Sequence, residues 1–407
     1  MMDFLSQTLV VVLSFLAVLT LVITIHELGH FYAGRLFKVK IDRFSIGFGK
    51  AVFSRTDRRG VEWRLGWIPL GGYVKFAGDV NPASVPDSAH LEEIRSEIAA
   101  ETGAGSEKDY FHFKPVWQRA IIVAAGPVAN FVLAIVIFAF LALIAGEVVR
   151  VLPRVASVEP GSPAAEAGFL EGDLVVQADG RRINEWADLQ QYVLMRSGEA
   201  IRFTVERGGE RVSLTATPGV RELQSGIDGS TFRAGYLGLA ASNAPENIER
   251  ARYGPVEAVG QGFVQTFAVL DTTLTYLRRI ITGRESGDQL SGPLGIATTS
   301  GAVAGAAAAS TQDPGEAAGR VFLSLLTLAG LLSVGIGFLN LLPVPVLDGG
   351  HLVFYAYEAV ARRPLAAQVQ EGAYRVGLAL LVCLMLFATW NDLRKLSVFD
   401  FLGGLPS

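Results

Sequence analysis

The stretch TLVVVLSFLAVLTLVITIHELGH, residues 8–30, joins an uncharged apolar run to three ionisable side chains. Residues 8–25 are enough for a helix that crosses a hydrocarbon core of about 30 Å. Because this run leads directly into His26 without a small-residue cleavage pattern, we predict a retained transmembrane helix rather than a signal peptide. The chain is therefore expected to be a membrane protein with ionisable groups at the end of its first span.

Composition also favours a polytopic membrane protein. The 407 residues are 50% hydrophobic and 18% charged, with a mean hydropathy of +0.38, which is too apolar for an ordinary soluble chain. Further apolar runs lie at residues 120–146 and 321–347, and a shorter one at 376–390. The net charge of -4, without an isolated Lys/Arg run, argues against a nucleic-acid partner. A single cysteine, Cys383, excludes an intramolecular disulfide.

Basic residues predict the orientation of the spans. Residues 1–34 contain no Lys or Arg, whereas residues 35–43 contain four, so the positive-inside rule places the N-terminus outside. The pair Arg362 and Arg363 agrees with this orientation, and the pair Arg394 and Lys395 opposes it. The long segment between the second and third runs would then lie outside.

The motif His26-Glu27-x-x-His30 predicts a zinc site. Two histidines four residues apart project from the same face of a helix and suit one zinc ion. Glu27 is then positioned to take a proton from a zinc-bound water, whose pKa falls to about 7 on the metal. Charged groups in an apolar span cost roughly 2.5 to 3.5 kcal/mol each, so these three side chains need compensation. The alternative is that they cap a helix at the membrane surface.

Asp348 is the candidate third ligand. A hydrolytic zinc site usually has three protein ligands and one open position. The first and third spans cross the membrane in the same direction, so Asp348, at the end of the third, can reach the histidines. The alternative is a turn aspartate in Asp-Gly. This topology requires residues 263–281 to form an interfacial amphipathic helix rather than a span, and His351 is expected to pack rather than to bind metal.

Three further segments carry structural expectations. Residues 41–54 and 62–76 alternate apolar and polar side chains around several glycines and predict β-hairpin strands. These strands either pair with a substrate through an edge or pack on the helices without touching substrate. The small-residue stretch 302–310 is expected to be a loop or a weak helix.

Residues 151–218 predict a compact domain of short strands, in which EPGSPAAEAG, EGDL and DGRRI at 159–183 resemble a PDZ domain. The whole chain resembles the site-2 protease family of intramembrane zinc metalloproteases, in the bacterial regulator-of-sigma-E-protease-like branch with one PDZ domain. The matching segments are HELGH at 26–30, GFGK at 47–50, IPLGGYVK at 68–75, GPVANF at 126–131, SGP at 291–293 and NLLPVPVLDGG at 340–350.

The resemblance implies roles for individual residues. His26, His30 and Asp348 would bind zinc, and Glu27 would be the catalytic acid/base. Asn340 would engage the substrate backbone near the scissile bond, although a helix-bridging hydrogen bond is the alternative.

The same resemblance implies that the hairpin sheet dips into the membrane beside the zinc. We expect one of its edges to bind the unwound substrate by strand addition. The substrate-binding candidates in the sheet are its glycines Gly47, Gly49, Gly71 and Gly72.

The predicted fold is a polytopic α-helical membrane protein of about four transmembrane helices, with a membrane-associated β-hairpin sheet and a periplasmic α+β PDZ domain. The predicted segments are a first transmembrane helix at 1–34, a cytoplasmic loop with a re-entrant β-hairpin at 35–118, a second transmembrane helix at 119–148, the PDZ domain at 150–220, a periplasmic linker with an amphipathic helix at 221–320, a third transmembrane helix at 321–352, a cytoplasmic loop at 353–372, a fourth transmembrane helix at 373–393 and a tail at 394–407.

The expected function is regulated intramembrane proteolysis in a bacterial inner membrane. The substrates would be single-pass membrane proteins, such as an anti-sigma factor or a remnant signal peptide, with the active site near the cytoplasmic face. The PDZ domain would contact a substrate ectodomain or peptide, or serve only as a spacer. Two alternatives are a non-catalytic scaffold that keeps its metal and a metal transporter, which a lone histidine pair with a water-activating Glu27 fits poorly.

Overall fold

The structure, a computed structural model, describes residues 2–78, 95, 106–224, 231–242, 244–283 and 291–395. The chain forms two compact units. Residues 1–141, 259–275 and 287–407 form the first, here called the membrane unit, and residues 142–258 and 276–286 form the second, here called the insert unit. The middle of the predicted 35–118 loop and nearly all of the predicted 394–407 tail lie outside the described residues.

Apart from β1 and β2, the described strands all lie between the helices α2 and α5. The helices are α1 Met2–Leu36, α2 Val116–Ala145, α3 Pro163–Glu166, α4 Trp186–Leu194, α5 Pro255–Ile281, α6 Pro293–Ala309, α7 Pro314–Asn340, α8 Asp348–Ala361 and α9 Ala367–Lys395. The strands are β1 Ile41–Thr56, β2 Glu62–Phe76, β3 Glu147–Val151, β4 Val155–Val158, β5 Leu174–Ala178, β6 Arg181–Arg182, β7 Ile201–Arg207, β8 Glu210–Ala216, β9 Gly219–Gln224, β10 Thr231–Tyr236, β11 Leu239–Ala241 and β12 Ile248–Ala251.

Within the described part of the chain, four helices are long and apolar enough to cross a membrane. They span Thr8–Leu36, Val116–Ala145, Pro314–Asn340 and Gln368–Arg394. α5 is not among them, because polar and basic side chains interrupt its apolar face. The structure divides the segment expected at 321–352 into two helices: α7 ends at Asn340, where prolines follow, and α8 begins at Asp348.

Of the two alternatives expected at 302–310, a loop or a weak helix, the structure shows a helix. Residues up to Ala309 belong to α6, a 17-residue helix that packs against α1 and α7 within the segment predicted as a linker. Its small side chains let the helices approach closely: a methyl group added at Gly301 would collide with Val11 of α1. Packing, rather than an amphipathic pattern, accounts for this helix.

β1 and β2 are each bent, so that two strands form four paired segments. Residues 41–46 pair with 72–76 on one side and with 62–65 on the other, and 51–56 pair with 62–66. Gly47 lies at one bend with a φ of 83°, and a Cβ there would press on backbone carbonyls of β2. Segment 72–76 is therefore an edge of the sheet, and β2 packs against α1.

The insert unit is an α+β fold with its own hydrophobic core. Its largest sheet has the strand order β6-β5-β7-β8, and β11 pairs with β4. The core includes Leu237, and Leu239 of β11 pairs with Val158 of β4. The domain expected at 150–220 therefore folds together with residues well beyond 220, because Leu237 fills part of its core and β11 pairs with β4 in a second, two-stranded sheet.

Candidate metal centre

Three side chains of the membrane unit converge on one point. Nε2 of His26 lies 3.2 Å from Nε2 of His30, and Oδ2 of Asp348 lies 3.2 Å and 3.5 Å from these two nitrogens. The potential ligand atoms all lie within 4.8 Å of one another. Two of the three residues sit one turn apart on α1, and the third is the first residue of α8. Two imidazoles and one carboxylate are a donor set that zinc accepts.

Tight backbone packing fixes the position of Asp348. A Cβ at Gly349 would collide with the carbonyl oxygens of Leu341 and Leu342, and a Cβ at Gly350 with that of Val344. Only glycine allows the chain to fold back this closely after α7. The Asp-Gly-Gly sequence thus places a carboxylate at the start of α8, directed at the two histidines.

Both histidines pack against α2. A methyl group at Gly126 would collide with Nε2 of His30 and lie 2.9 Å from Nε2 of His26. Nδ1 of His30 donates a hydrogen bond of 2.9 Å to the carbonyl oxygen of Ile122. This bond selects the tautomer in which Nε2 carries a lone pair directed into the cluster.

The three residues fit a divalent cation on a further ground. Oδ2 of Asp348 is buried and has no hydrogen-bond donor in the described structure. A buried carboxylate oxygen without a partner is costly, and a metal ion is one group that satisfies it. When bound, zinc would polarise a carbonyl group and lower the pKa of a bound water.

Glu27 lies between the cluster and the sheet edge. An added Cβ at Gly72 would stand 3.0 Å from Cγ of Glu27 and 2.9 Å from the carbonyl oxygen of Ser45. The edge segment 72–76 therefore runs directly past Glu27, and only a residue without a side chain fits at position 72 without displacing a neighbour.

The other sequence candidates divide into two groups. Nδ2 of Asn340 lies 3.5 Å from Nε2 of His26, at the border of the cluster. Gly47 and Gly71, in contrast, have their nearest neighbours within the sheet itself, and the nearest neighbour of Gly49 is Ile68. These three glycines shape the bends of the strands.

His351 lies outside the ligand group that the structure describes. Its ring nitrogens lie 3.0 and 3.3 Å from the hydroxyl of Tyr374, and its ring contacts Phe354 and Tyr355. His90, another histidine of the chain, falls outside the described residues.

Sequence reasoning assigned no role at the site to Asn130 of α2, which is fully buried with its side-chain amide 3.3 Å from Nδ1 of His26. The available signal was the four-residue spacing from Gly126 in GPVANF, which puts both residues on one helix face.

Comparison with known proteins identifies the family. The model of Peptidase family M50 matches residues 14–384. The chain belongs to this family. The metalloprotease MmpA of Caulobacter vibrioides is 47% identical over 98% of both chains. "Putative zinc metalloprotease Atu1380" of Agrobacterium fabrum is 42% identical over 95% of this chain and 96% of its own, and "Putative zinc metalloprotease R01501" of Rhizobium meliloti is 42% identical over 94% and 96%.

Membership in family M50 confirms the resemblance to site-2 proteases. This M50 peptidase is a zinc metalloprotease and, with four apolar helices, a multi-pass membrane protein.

Proposed function

We propose that this M50 peptidase is an intramembrane endopeptidase that cleaves transmembrane segments of single-pass membrane proteins, with zinc held by His26, His30 and Asp348. The observation that carries the proposal is the convergence of these three ligand atoms at the end of an apolar, membrane-length helix. Ionisable groups are retained in such a setting when they form a functional site.

The chain's own residues have distinct parts in the reaction. Glu27 accepts a proton from the attacking water and passes it to the leaving nitrogen. The amide of Asn340, at the border of the cluster, donates a hydrogen bond to the carbonyl oxygen as its negative charge grows. The histidines and Asp348 hold the metal and take no proton during the reaction.

Substrate binding is assigned to the edge segment 72–76. A transmembrane helix hides its carbonyl groups in its own hydrogen bonds, so cleavage requires unwinding and replacement partners. The segment pairs with residues 41–46 on one side and passes Glu27 with Gly72. Strand addition to this edge would lay an extended substrate past the catalytic carboxylate. Gly47, Gly49 and Gly71 contribute by bending the strands that carry this edge.

The remaining assignments concern location and partners. The enzyme would lie in a bacterial inner membrane, in contact with the lipid bilayer, with its N-terminus and the insert unit periplasmic and the site near the cytoplasmic face. The insert unit would contact the substrate ectodomain or a peptide. Support comes from its groove of about 270 Å³ between α4 and residues 235–239, which is lined partly by Leu189, Val193 and Leu239. An anti-sigma factor or a remnant signal peptide fits as substrate.

The test is Glu27→Gln in the full chain, reconstituted in liposomes with a model single-pass substrate. We expect cleavage to fall by at least about 100-fold, because a general acid/base contributes 10² to 10⁴, while bound zinc stays unchanged. Glu371→Gln, at an exposed acid of α9, is the matched control. Equal cleavage by wild type and Glu27→Gln would end the assignment, and cleavage by neither would favour a scaffold.

A further inference from the structure

Asn130 is a polar side chain without exposure to solvent, in the middle of the apolar helix α2. Its amide nitrogen Nδ2 lies 3.3 Å from Nδ1 of His26, and its Oδ1 is buried without a hydrogen-bond partner. A buried amide oxygen without a donor is costly in apolar surroundings, so this orientation of the amide calls for a physical explanation.

The orientation also conflicts with metal binding. If Nδ2 donated to Nδ1 of His26, the imidazole proton would reside on Nε2. That atom faces Nε2 of His30 and Oδ2 of Asp348. Half a turn about the Cβ–Cγ bond exchanges the oxygen and nitrogen of the amide, which have nearly the same shape. Oδ1 then lies at hydrogen-bonding distance from Nδ1 of His26, and the imidazole proton no longer has to occupy the nitrogen that faces the ligand cluster.

We propose that Asn130 is a positioning residue: its Oδ1 accepts the Nδ1–H of His26 and fixes the tautomer in which Nε2 offers a lone pair to zinc. The inference rests on the proposed ligand set. It gives the two histidines equivalent support, because Nδ1 of His30 donates to the carbonyl oxygen of Ile122, also on α2. Both ligands would then be oriented by oxygens of the same helix.

Asn130 lies where α7 packs against α2. The hydroxyl of Ser333 on α7 donates to the backbone carbonyl of Asn130 at 2.9 Å, and Gly337 packs so closely that an added methyl would stand 3.2 Å from its Cβ. The side chain therefore sits between α7 and His26 with little freedom except the exchange of its amide ends. The Ser333 bond involves only the backbone, which supplies a control that preserves the amide.

The experiment compares four forms of the full chain in detergent: wild type, Asn130→Leu, Asn130→Asp and Ser333→Ala. Zinc affinity is measured by competition with a chelator, and thermal unfolding checks that each variant is folded. Asn130→Leu removes the acceptor and should weaken zinc binding by about 10- to 100-fold, the usual effect of losing a group that orients a ligand. Asn130→Asp keeps an acceptor, so its zinc affinity should be about 10-fold higher than that of Asn130→Leu. Ser333→Ala should bind as wild type does.

A spectroscopic measurement separates orientation of the ligand from helix packing. Cobalt in the site reports ligand geometry through its visible absorption, which should change in Asn130→Leu and stay as in wild type in Ser333→Ala. Wild-type zinc affinity in folded Asn130→Leu, or equal losses in the Leu and Asp variants, would overturn the inference. Should Asn130→Leu not fold, Asn130→Ala replaces it, since it introduces no bulk.

Failure of the inference can be told from failure of the ligand assignment. His26→Ala is measured alongside the other variants. Loss of zinc in His26→Ala with full binding in Asn130→Leu refutes only the positioning role. Full binding in His26→Ala refutes the ligand set itself, and the proposal for Asn130 with it.

Discussion

Asp173 of the insert unit and Asp348 of the membrane unit each have buried carboxylate oxygens, but the partners of these oxygens differ. In the insert unit, Asp173 is fully buried, and Arg207 donates a hydrogen bond of 2.7 Å to each of its oxygens. In the membrane unit, Oδ2 of Asp348 is buried without a donor and faces the Nε2 atoms of His26 and His30. A carboxylate whose partners are complete supports a fold. Oδ2 of Asp348, which faces two imidazole nitrogens, is instead placed to bind a metal ion.

Arg207→Met gives the largest expected effect on the comparison, because it removes the cation from the buried carboxylate of Asp173 and leaves only the backbone N–H of Leu170 as a donor. A charge in a fully buried pair that loses its partner costs about 3–5 kcal/mol, and the cost here should lie below that range because the Arg207 side chain is 33% exposed. Hydrogen exchange in the full chain should show a lower free energy of opening throughout residues 142–258, by more than about 1 kcal/mol. Arg150→Met is the control, since its pair with Glu249 is exposed on both sides and should contribute less than about 1 kcal/mol. Unchanged protection in Arg207→Met would remove the contrast between the two sites.

Asp348→Ala tests the opposite half of the comparison. Because Oδ2 of Asp348 has no hydrogen-bond donor and its ion pairs with His26 and His30 form only when a histidine is protonated, its removal should destabilise the metal-free protein less than Arg207→Met destabilises the insert unit. Zinc affinity, by contrast, should fall by more than about 100-fold, since losing a group that only orients a ligand costs up to that much. Chelator competition and thermal unfolding of the metal-free form measure the two effects. Retained zinc would remove Asp348 from the ligand set, and a metal-free protein destabilised as much as Arg207→Met destabilises the insert unit would show a structural role instead.

Acid should weaken the insert unit through Asp173. Burial alone would raise the pKa of this carboxyl, but the hydrogen bonds from Arg207 and from the backbone N–H of Leu170 hold it below the ordinary value of 3.8. A depressed pKa means that the ionised form stabilises the fold above the unfolded-state pKa, and this contribution is lost as the pH falls through the folded-state value.

Hydrogen exchange at pH 7 and pH 3, corrected for the intrinsic exchange rate, should show that difference in residues 142–258. In Asp173→Asn the group that titrates is absent, so the acid-induced loss should shrink. A loss of the same size in both proteins would assign the acid sensitivity to other groups.

Part of this architecture could be predicted from sequence because it depends on local spacing. The four-residue separation of His26 and His30 and the direction of successive spans led to Asp348, which the structure places beside them. Alternation likewise predicted strands at 41–54 and 62–76, close to the observed β1 and β2. Membership in a zinc metalloprotease family was predicted from motifs spread along the chain and is confirmed.

The remainder depends on contacts between segments that are distant in sequence. α6 has almost uniformly small side chains, so no periodicity indicates its packing against α1 and α7. The pairing of 41–46 with two different parts of β2 follows from bends at glycines with positive φ. Asn130 meets His26 only because α2 lies against α1, and a single buried amide in an apolar helix does not reveal its partner.

The smallest expected effect concerns the edge segment 72–76, which pairs with another strand on one side only. Gly72→Ala would place a methyl group 2.9 Å from the carbonyl oxygen of Ser45 and 3.0 Å from Cγ of Glu27, so the edge segment and Glu27 must move apart. We expect the cleavage rate to fall by about 10-fold, because a catalytic group that is displaced by an ångström or less already lowers the rate. Zinc affinity should stay unchanged. Gly335→Ala on α7 is the control, since nothing lies within 4 Å of its added methyl. Wild-type cleavage by Gly72→Ala would show that the edge does not constrain Glu27, whereas loss of zinc would place the edge in contact with the ligands rather than with the acid/base.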